Sequence, residues 1–366
     1  MFNNAYKGRR VLVTGHTGFK GSWLTTWLLE MGADVAGYAL DAPSNPSAFE
    51  VLKLKKRICH AHGDVRNADL LRQAVQEFRP EVIFHMAAQA LVRPSYEDAP
   101  GTFEINAMGT LNLLEAVRAC PSVRAVVCIT SDKCYRNDEW VWGYRETDHL
   151  GGHDPYSASK ACAEIIAHSY FTSFFAKGPA AATVRAGNVI GGGDWALDRI
   201  VPDCARAWVA GTPVQIRSPH ATRPWQHVLE PLSGYLHLGA MLLAGKESAK
   251  GLPLHGEAFN FGPPSAVNAE VAEVAEVLGR LWPGFQYECD ASAAAGKKEC
   301  TLLKLCCDKA LAHLDWRAVM DFAETMRFTA DWYQSHAKGE DMYAYTAGQI
   351  AEYVQKAQAG GLLWTR

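Results

Sequence analysis

A glycine-rich turn near the start of the chain constrains the fold more than any other feature of the sequence. Gly15, Gly18 and Gly21 form a G-x-x-G-x-x-G run that follows an apolar strand pattern at residues 9–14 and opens a helical pattern at residues 22–31. In this context the first glycine permits a tight turn, the second lets the backbone approach a pyrophosphate, and the third packs the helix against the strand. The helix N-terminus adds unpaired N–H groups and a positive partial charge. The run therefore predicts a dinucleotide site, with a turn that binds no ligand as the alternative.

Strand and helix patterns alternate through the first half of the chain. Strand patterns are found at residues 34–40, 58–63, 82–86 and 123–130, and helical patterns at residues 67–78, 109–119 and 156–175. Continuous apolar strands are typical of a parallel sheet covered on both faces, so we expect an α/β fold with a doubly wound Rossmann sheet. After Gly187 the pattern breaks into loops rich in Gly, Trp and Arg, with helical patterns at residues 268–282 and 320–334. We predict a dinucleotide-binding domain over residues 1–187 and a smaller α/β substrate domain over residues 188–366, part of which crosses back to the sheet.

Composition narrows the class of protein. The 366 residues carry a formal net charge of −3, so no basic excess indicates a nucleic-acid partner. No apolar run is long enough to cross a bilayer, and the N-terminus enters a strand pattern without a signal peptide. The ten cysteines are scattered and include no C-x-x-C pair, which indicates reduced thiols in a cytoplasmic protein. We expect an enzyme acting on a small molecule, with no metal, nucleic-acid or membrane partner.

Two aspartates are candidates for the adenosine half of the dinucleotide. Asp41 ends the second predicted strand, where a carboxylate binds a ribose 2′-hydroxyl and repels a 2′-phosphate. This position favours NAD over NADP, although Asp41 also precedes Ala-Pro and could start a turn. Asp64 ends the third predicted strand, just before Val65, and either contacts the adenine or caps the next helix.

A Y-x-x-x-K pair carries the predicted chemistry. Tyr156 and Lys160 share one face of a helix, and a nearby ammonium stabilises a phenolate, so the tyrosine can act as a base near neutral pH. Ser131 ends a predicted parallel strand, where the sites of α/β proteins are found, and its hydroxyl can hold the substrate oxygen. The three residues predict oxidation of a substrate hydroxyl. The alternative for the pair alone is an exposed helix face.

Several segments together resemble a known family. TGHTGFKG, HMAAQ, TSDK and YSASK, in this order, are similar to the motifs of the extended short-chain dehydrogenases/reductases, and RAGNVIGGGDW and RPWQHV extend the likeness over nearly the whole chain. The resemblance implies an NAD- or NADP-dependent enzyme of nucleotide-sugar metabolism that forms a homodimer or a higher homo-oligomer. WVWGYRE and RPWQHVLEPL resemble the branch that dehydrates CDP-glucose. For this chain the resemblance implies NAD as the cofactor, CDP-glucose as the substrate and a role in deoxysugar biosynthesis.

The two residues after Ser131 distinguish dehydration from simpler reactions. Dehydratases of dTDP-glucose have Asp-Glu at this place, whereas this chain has Asp132 and Lys133. The resemblance implies that Asp132 protonates the leaving C6 hydroxyl and that Lys133 removes the C5 proton. The alternative is a polar pair that caps the strand end. The pair argues against an epimerase, and dehydratases of dTDP- or GDP-sugars remain alternatives.

The family pattern also implies a set of binding residues. Cofactor contacts are expected from Gly15, Thr17, Gly18, Phe19, Lys20, Gly21, Asp41, Asp64, Val65, Ala87, Ala88, Asn106, Thr130, Tyr156 and Lys160. Substrate contacts are expected from Gln89, Arg93, Tyr96, Asn188, Arg199, Arg217 and Arg223. The arginines suit a diphosphate because a guanidinium donates in a fork to phosphate oxygens, although Arg217 could instead form a surface salt bridge. At residues 306–310 the chain has Cys-Cys-Asp-Lys-Ala where the family usually starts a helix with Ser-Lys-Ala.

An alternative of a different class is a non-catalytic protein that senses a dinucleotide. Such proteins often lack the Tyr-Lys pair. Because Ser131, Tyr156 and Lys160 are all present, the sequence favours an enzyme.

Overall fold

The computed structural model describes residues 1–216, 218–245, 247–248, 250–264, 267–289 and 302–366. Its strands, in chain order, are β1 Arg10–Thr14, β2 Asp34–Ala39, β3 Cys59–His62, β4 Val82–His85, β5 Ala125–Ile129, β6 Ala180–Ala186, β7 Val189–Ile190, β8 Val214–Ile216, β9 Thr222–Arg223, β10 Gln226–His227, β11 Ala258–Phe261, β12 Ala269–Glu270 and β13 Tyr287–Cys289. Its helices are α1 Phe19–Glu30, α2 Ala48–Val51, α3 Ala68–Phe78, α4 Val92–Glu97, α5 Ala99–Phe103, α6 Gly109–Arg118, α7 Pro155–Ser173, α8 Ile200–Ala210, α9 Leu229–Leu243, α10 Val271–Leu281, α11 Asp308–Leu314, α12 Phe322–Ala337 and α13 Met342–Ala359. Residues Glu104–Met108 form a π-helical turn before α6.

Seven parallel strands form the central sheet, in the order β3-β2-β1-β4-β5-β6-β11. The chain reverses its direction of travel across the sheet between β1 and its neighbour β4. In doubly wound sheets ligands bind outside the carboxyl ends of the strands at such a switch point. The fold predicted from the sequence is therefore confirmed, and the sheet directs attention to the residues that follow β1, β4 and β5.

The central strands of the sheet are mostly apolar, since helices cover both of its faces. Val11 and Val13 of β1 belong to one core with Trp23 and Trp27 of α1, together with much of α9. Leu12, between them, belongs to a second core with residues of α3, α6 and α7. Alternate side chains thus enter different cores, and full burial of such a side chain contributes about 1.5–3 kcal/mol.

Two departures from the predicted helices have local causes. Helix α1 begins at Phe19, earlier than predicted, because Gly18 takes an extended conformation and serves as the N-cap. Helix α12 begins at Phe322 because Asp321 and Glu324 form a capping box. The starts of these two helices are therefore determined by their N-cap residues and not by the apolar periodicity of the sequence.

The second half of the chain contributes to the central sheet. Strand β11 pairs with β6 along its whole length. Helix α9, which the sequence patterns did not predict, packs against β5 and β6, and the Tyr6 hydroxyl donates to the carbonyl of its Leu236 at 2.5 Å. Because α9 is buried on nearly all sides, it lacks the polar face that makes a surface helix recognisable. The division at residues 187 and 188 remains a prediction.

Within the described part of the chain, none of the helices has the length and apolarity that a bilayer crossing requires. The same residues contain no cluster of three or more His, Cys, Asp or Glu side chains that could bind a metal ion.

Candidate active site

The glycine turn after β1 is shaped by close backbone contacts. Gly15 has a φ of +73°, and a Cβ at this position would lie 2.7 Å from the backbone nitrogen of Ala87, just after β4. A Cβ at Gly21 would lie 2.3 Å from the carbonyl oxygen of Gly15. At Gly18 the nearest described atom to such a Cβ is the same oxygen, at 3.4 Å, and no described side chain caps α1. The turn therefore leaves the N–H groups of the first turn of α1 for an anion, and its residues fit a dinucleotide pyrophosphate.

The other residues of the turn contact different parts of the structure, the end of β2 on one side and the catalytic residues on the other. The Thr17 hydroxyl donates to the carbonyl of Leu40 at 3.0 Å and so ties the turn to the end of β2. Phe19 begins α1. The half-buried Lys20 lies on the side of the catalytic residues: burial lowers its pKa to about 8, the nearby Arg199 lowers it further, and Asp132 opposes the shift.

The two candidate adenosine residues follow β2 and β3, away from the catalytic residues. Asp41 has a side chain that is 94% exposed, with Oδ2 3.6 Å from Nε2 of His62. The Asp64 carboxylate accepts hydrogen bonds from Arg66, whose Nη2 is 2.6 Å from Oδ2, and this contact lowers the pKa of Asp64. The next helix is capped by Asn67 instead, so the cap alternative for Asp64 is wrong.

The loop after β4 is held by a buried asparagine. Asn106, in the π-helical turn, accepts from the backbone N–H of Gln89 at 2.9 Å and donates to the Gln89 carbonyl at 3.0 Å. It also donates to the Ser159 hydroxyl on α7 at 2.8 Å. The side chain of Gln89 bonds within its own loop and to Thr102. Ala87 and Ala88, which lie in this loop, are thereby held beside the glycine turn.

Val65, another predicted cofactor contact, lies against helix α6. Its carbonyl accepts a hydrogen bond from Asn112 of α6 at 2.9 Å. A Cβ at Gly109, the first residue of α6, would lie 2.6 Å from the Val65 side chain. Val65 is thus packed between the end of β3 and α6.

Four of the five predicted catalytic side chains are buried together where β5 meets α7: Ser131, Asp132, Tyr156 and Lys160. The Ser131 hydroxyl donates to Oδ1 of Asp132 at 2.9 Å and accepts from the backbone N–H of Lys133 at 3.2 Å. The Lys160 ammonium donates to the carbonyl of Ile129 at 3.5 Å. Lys133 is half-buried. The structure therefore joins the residues after β5 to the Y-x-x-x-K helix.

The pKa of the tyrosine differs from the expectation. Burial raises the pKa of Tyr156 to about 12, since desolvation of a phenolate outweighs the opposing hydrogen bond with Ser131. Burial also lowers the pKa of Lys160 to about 8. The role of Tyr156 as a base, with Lys160 stabilising its phenolate, stays a prediction.

Three of the predicted substrate residues lie on α4 and at the start of α8. Arg199 donates to Oδ2 of Asp194 at 2.9 Å, and charge interactions with Tyr156 contribute to its raised pKa. Arg93 on α4 pairs with Asp198, 2.8 Å away, so α4 is joined to the loop before α8. Tyr96 is exposed on α4.

A small cavity of about 10 Å³ lies beside the catalytic residues. Gly187 and Pro224 line it, together with Lys304. A Cβ at Gly187 would lie 3.3 Å from Oδ2 of Asp132, so the cavity lies next to the predicted acid. Asn188 and Arg223 are the chain neighbours of two of these lining residues. Arg217 lies outside the described residues.

The sequence patterns missed a buried ion pair. Glu164, one helical turn after Lys160, contacts Arg185 of β6 with both carboxylate oxygens at 2.8 Å. An available signal was a charged residue inside an otherwise apolar strand, AAATVRA, because such a charge requires a buried partner. The pair lies directly beside Thr130, a predicted cofactor contact that donates to Glu164.

Comparisons with known proteins show what this chain is similar to. Residues 12–241 match the model of the GDP-mannose 4,6-dehydratase family. The CDP-glucose 4,6-dehydratase of Salmonella typhimurium is 47% identical over 357 residues, which cover 96% of this chain and 98% of that protein. The UDP-glucose 4-epimerase of Thermus thermophilus, solved in complex with NAD, has a TM-score of 0.73 at 27% identity and covers 89% of this chain and 99% of its own. For the fold alone, the dTDP-glucose 4,6-dehydratase of Streptomyces venezuelae, solved with NAD and TYD, has a TM-score of 0.72 at 24% identity, covering 91% and 99%.

Proposed function

Because this chain belongs to the GDP-mannose 4,6-dehydratase family, we propose that it is a lyase that converts CDP-glucose to CDP-4-keto-6-deoxyglucose and water. The observation that carries the proposal is the buried Ser131–Asp132 hydrogen bond, at 2.9 Å, in a centre that also contains Tyr156 and Lys160. The 47% identity to a CDP-glucose 4,6-dehydratase supports the choice of nucleotide. The enzyme would act in the cytoplasm, in deoxysugar biosynthesis.

NAD is the proposed cofactor. Two solved relatives carry it, and the turn at Gly15, Gly18 and Gly21 fits a pyrophosphate. The exposed Asp41 carboxylate, at the end of β2, would accept a hydrogen bond from a ribose 2′-hydroxyl and repel a 2′-phosphate. When bound, NAD supplies a nicotinamide that takes a hydride from C4 of the sugar and returns it to C6.

The side chains of the centre supply the proton transfers. Tyr156 accepts the proton of the C4 hydroxyl while Ser131 holds that oxygen. The resulting C4 ketone makes the C5 proton acidic, and Lys133 removes it. Asp132 protonates the leaving C6 hydroxyl, so that water departs. When C6 receives the hydride, Lys133 returns its proton to C5, and net transfer of one proton from Tyr156 to Asp132 restores both groups. Because Ser131 binds Oδ1, Oδ2 beside Gly187 is the oxygen free of that bond and suited to carry the proton.

The sugar must present first C4 and then C6 to the same nicotinamide. An anchor on the diphosphate permits this movement, whereas an anchor on the hydroxyls would oppose it. Arg93, Arg199 and Arg223 are the proposed anchor, since guanidinium groups bind phosphate oxygens in a fork.

Incubation of the purified protein with CDP-, dTDP-, UDP- and GDP-glucose, followed by mass spectrometry for loss of water, tests the substrate. CDP-glucose deuterated at C4 should yield product deuterated at C6, without net consumption of NAD. Hydrogen from solvent at C6, or a stoichiometric demand for NAD, would indicate a simple dehydrogenase. Loss of water from another nucleotide sugar alone would reassign the substrate, and binding of NAD without any turnover would favour a sensor.

A further inference from the structure

A network of buried polar groups surrounds the Glu164–Arg185 ion pair. Both side chains are only 4% exposed. Arg185 donates Nε and Nη2 to the two oxygens of Glu164, and Thr183 donates its hydroxyl to the same carboxylate at 2.8 Å. Although burial alone would raise the pKa of Glu164, the charge of Arg185 and these hydrogen bonds hold it below its usual value. The pair is therefore ionised and fully hydrogen-bonded, the condition under which a buried ion pair is tolerated.

The network binds both ends of one short segment. We define the catalytic segment as residues 130–135, which includes Ser131, Asp132 and Lys133. At its start, Thr130 donates to Glu164. At its end, the Tyr135 hydroxyl accepts from Nη1 of Arg185 at 2.7 Å. The two ends of the segment are thus bonded to the two members of one ion pair.

The same pair also bonds the segment to the rest of the site. Glu164 lies on α7 one turn after Lys160, so a displacement of Glu164 along the helix axis would displace Tyr156 and Lys160 with it. The Tyr135 hydroxyl donates onward to Asn260 of β11 at 2.8 Å. Helix α7, the catalytic segment and two strands therefore meet at one buried contact.

We propose that Glu164 and Arg185 are positioning residues that hold the catalytic segment and helix α7 in a constant relative position. Asp132 and Tyr156 then keep the same separation through successive proton transfers. The proposal rests on the proposed function, because it assigns the two groups to consecutive steps on one sugar. The ion pair is buried and bonds to the catalytic segment through Thr130 and Tyr135. Its contribution to catalysis acts through Thr130 and Tyr135.

Tyr135→Phe provides the most selective test. It removes one hydroxyl that bonds the catalytic segment to Arg185 and Asn260, and it leaves the aromatic ring stacked on Tyr144. Because a small misplacement of a reacting group is costly, we expect the kcat for dehydration to fall about tenfold while KM stays within about twofold. Absorbance of reduced nicotinamide should build up during turnover, since elimination becomes slower than oxidation.

Thr183→Val is the matched control, since it removes one hydroxyl from the same carboxylate without touching the catalytic segment. We expect a similar loss of thermal stability in both variants, with kcat unchanged in Thr183→Val. Arg185→Lys keeps the charge but loses the fork, and it should reproduce the Tyr135→Phe phenotype more strongly. If it fails to fold, Tyr135→Phe decides the question.

Amide hydrogen exchange over residues 130–135 adds a readout that requires no substrate. Exchange should rise in Tyr135→Phe and stay unchanged in Thr183→Val. Equal losses of kcat in both variants, or unchanged kcat and exchange in Tyr135→Phe, would overturn the positioning role. A wild-type protein that does not dehydrate CDP-glucose would refute the proposed function, and the exchange data would still decide whether the pair holds the segment.

Discussion

Burial raises the pKa of Tyr156 to about 12, although the hydrogen bond with Ser131 and the charge of Arg199 favour its ionisation. Proton removal from the C4 hydroxyl therefore requires that the charge on the phenolate be stabilised during the reaction. Lys160, with a pKa lowered to about 8, is the nearest candidate on the same helix face. The catalytic competence of the pair is thus a property of the loaded site.

Tyr156→Phe is expected to abolish oxidation at C4, because the proton acceptor is lost, and to leave NAD binding within about twofold of the wild type, because the hydroxyl lies outside the glycine turn. Steady-state turnover and calorimetric titration with NAD measure the two effects. Tyr170→Phe is the control: it lies on the same helix and loses only a bond to Glu115. Near-normal turnover in Tyr156→Phe would remove the tyrosine from its role.

Asp132→Asn and Lys133→Met should behave differently from the tyrosine variant. Each leaves Tyr156 and Ser131 in place, so oxidation at C4 continues, but one proton transfer of the elimination is lost. Stopped-flow absorbance should show reduced nicotinamide that forms and persists, with product formation down at least about a hundredfold. Asp138→Asn, outside the catalytic segment, is the control. Elimination at full rate in either variant would exclude that residue as the acid or the base.

At the scale of elements, the glycines of the turn differ in whether the packing of the chain requires them. Gly15 and Gly21 are required by the packing of the chain against itself, since a Cβ at either would overlap backbone atoms. Gly18 has a φ of −76°, which any residue adopts, and its Cβ position is not crowded. The folded chain alone therefore gives no reason for a glycine there.

Gly15→Ala is expected to destabilise the fold by at least about 1–2 kcal/mol, from its positive φ alone. Gly18→Ala should change the free energy of unfolding by less than about 0.5 kcal/mol and yet weaken NAD binding about tenfold or more, because a methyl group would occupy the place of the pyrophosphate. Chemical denaturation and calorimetry with NAD measure the two quantities. Unchanged affinity in Gly18→Ala would mean that the pyrophosphate binds elsewhere.

At the scale of the whole molecule, α6 and α7 pack side by side, and two large apolar side chains are exposed on the surface beside this contact. Ile165 on α7 is 59% exposed, and Met108, in the π-helical turn that contacts α7, is 47% exposed. Homodimerisation, expected from the family resemblance, would pair this surface with its copy in a four-helix bundle. Ile165→Glu should then convert the protein to monomers in sedimentation analysis. Val209→Glu, on the 67% exposed position of α8, should not. A dimer that persists in Ile165→Glu would place the interface elsewhere.

Acid stability is a second property of the whole molecule. Burial lowers the pKa of His16, His85 and His227 to about 3 each. Near pH 3 to 6.5 these imidazoles bind protons more readily in the unfolded chain than in the folded one. Their burial therefore does not reduce the free energy of unfolding above pH 6.5, but that free energy falls as the pH drops toward 3, by up to about 1.4 kcal/mol per pH unit for each histidine. Burial raises the pKa of Glu230 to about 7, which has the opposite effect between pH 4.5 and 7.

The steepest loss of stability is therefore expected below about pH 4.5, where Glu230 no longer opposes the histidines and carboxylates with a lowered pKa, such as Glu164, add to their effect. His227 is buried against Trp23 and Phe328, and its Nε2 has no partner among the described residues. His227→Phe should reduce the slope of unfolding free energy against pH by about 1.4 kcal/mol per pH unit. His220→Gln, which removes an exposed imidazole, is the control. An unchanged slope in His227→Phe would show that this imidazole does not govern the acid transition.

The sequence by itself determined those features that depend on local periodicity. The alternation of strands and helices, the glycine turn between β1 and α1, and the four-residue spacing that puts Tyr156 and Lys160 on one helix face all follow from backbone geometry over a few residues. The residues after β5 could be assigned to the site for the same reason, since the carboxyl ends of parallel strands meet at one edge.

Only the tertiary structure decided which distant segments meet. The return of β11 to the sheet, the pairing of Glu164 with Arg185, and the approach of Lys20 to Asp132 depend on packing between segments far apart in the chain. The raised pKa of Tyr156 also depends on the tertiary structure, because desolvation of the phenol comes from all the atoms that surround it and not from its neighbours in sequence. A sequence pattern can identify the residues of an active site, but their protonation depends on the burial that the completed fold produces.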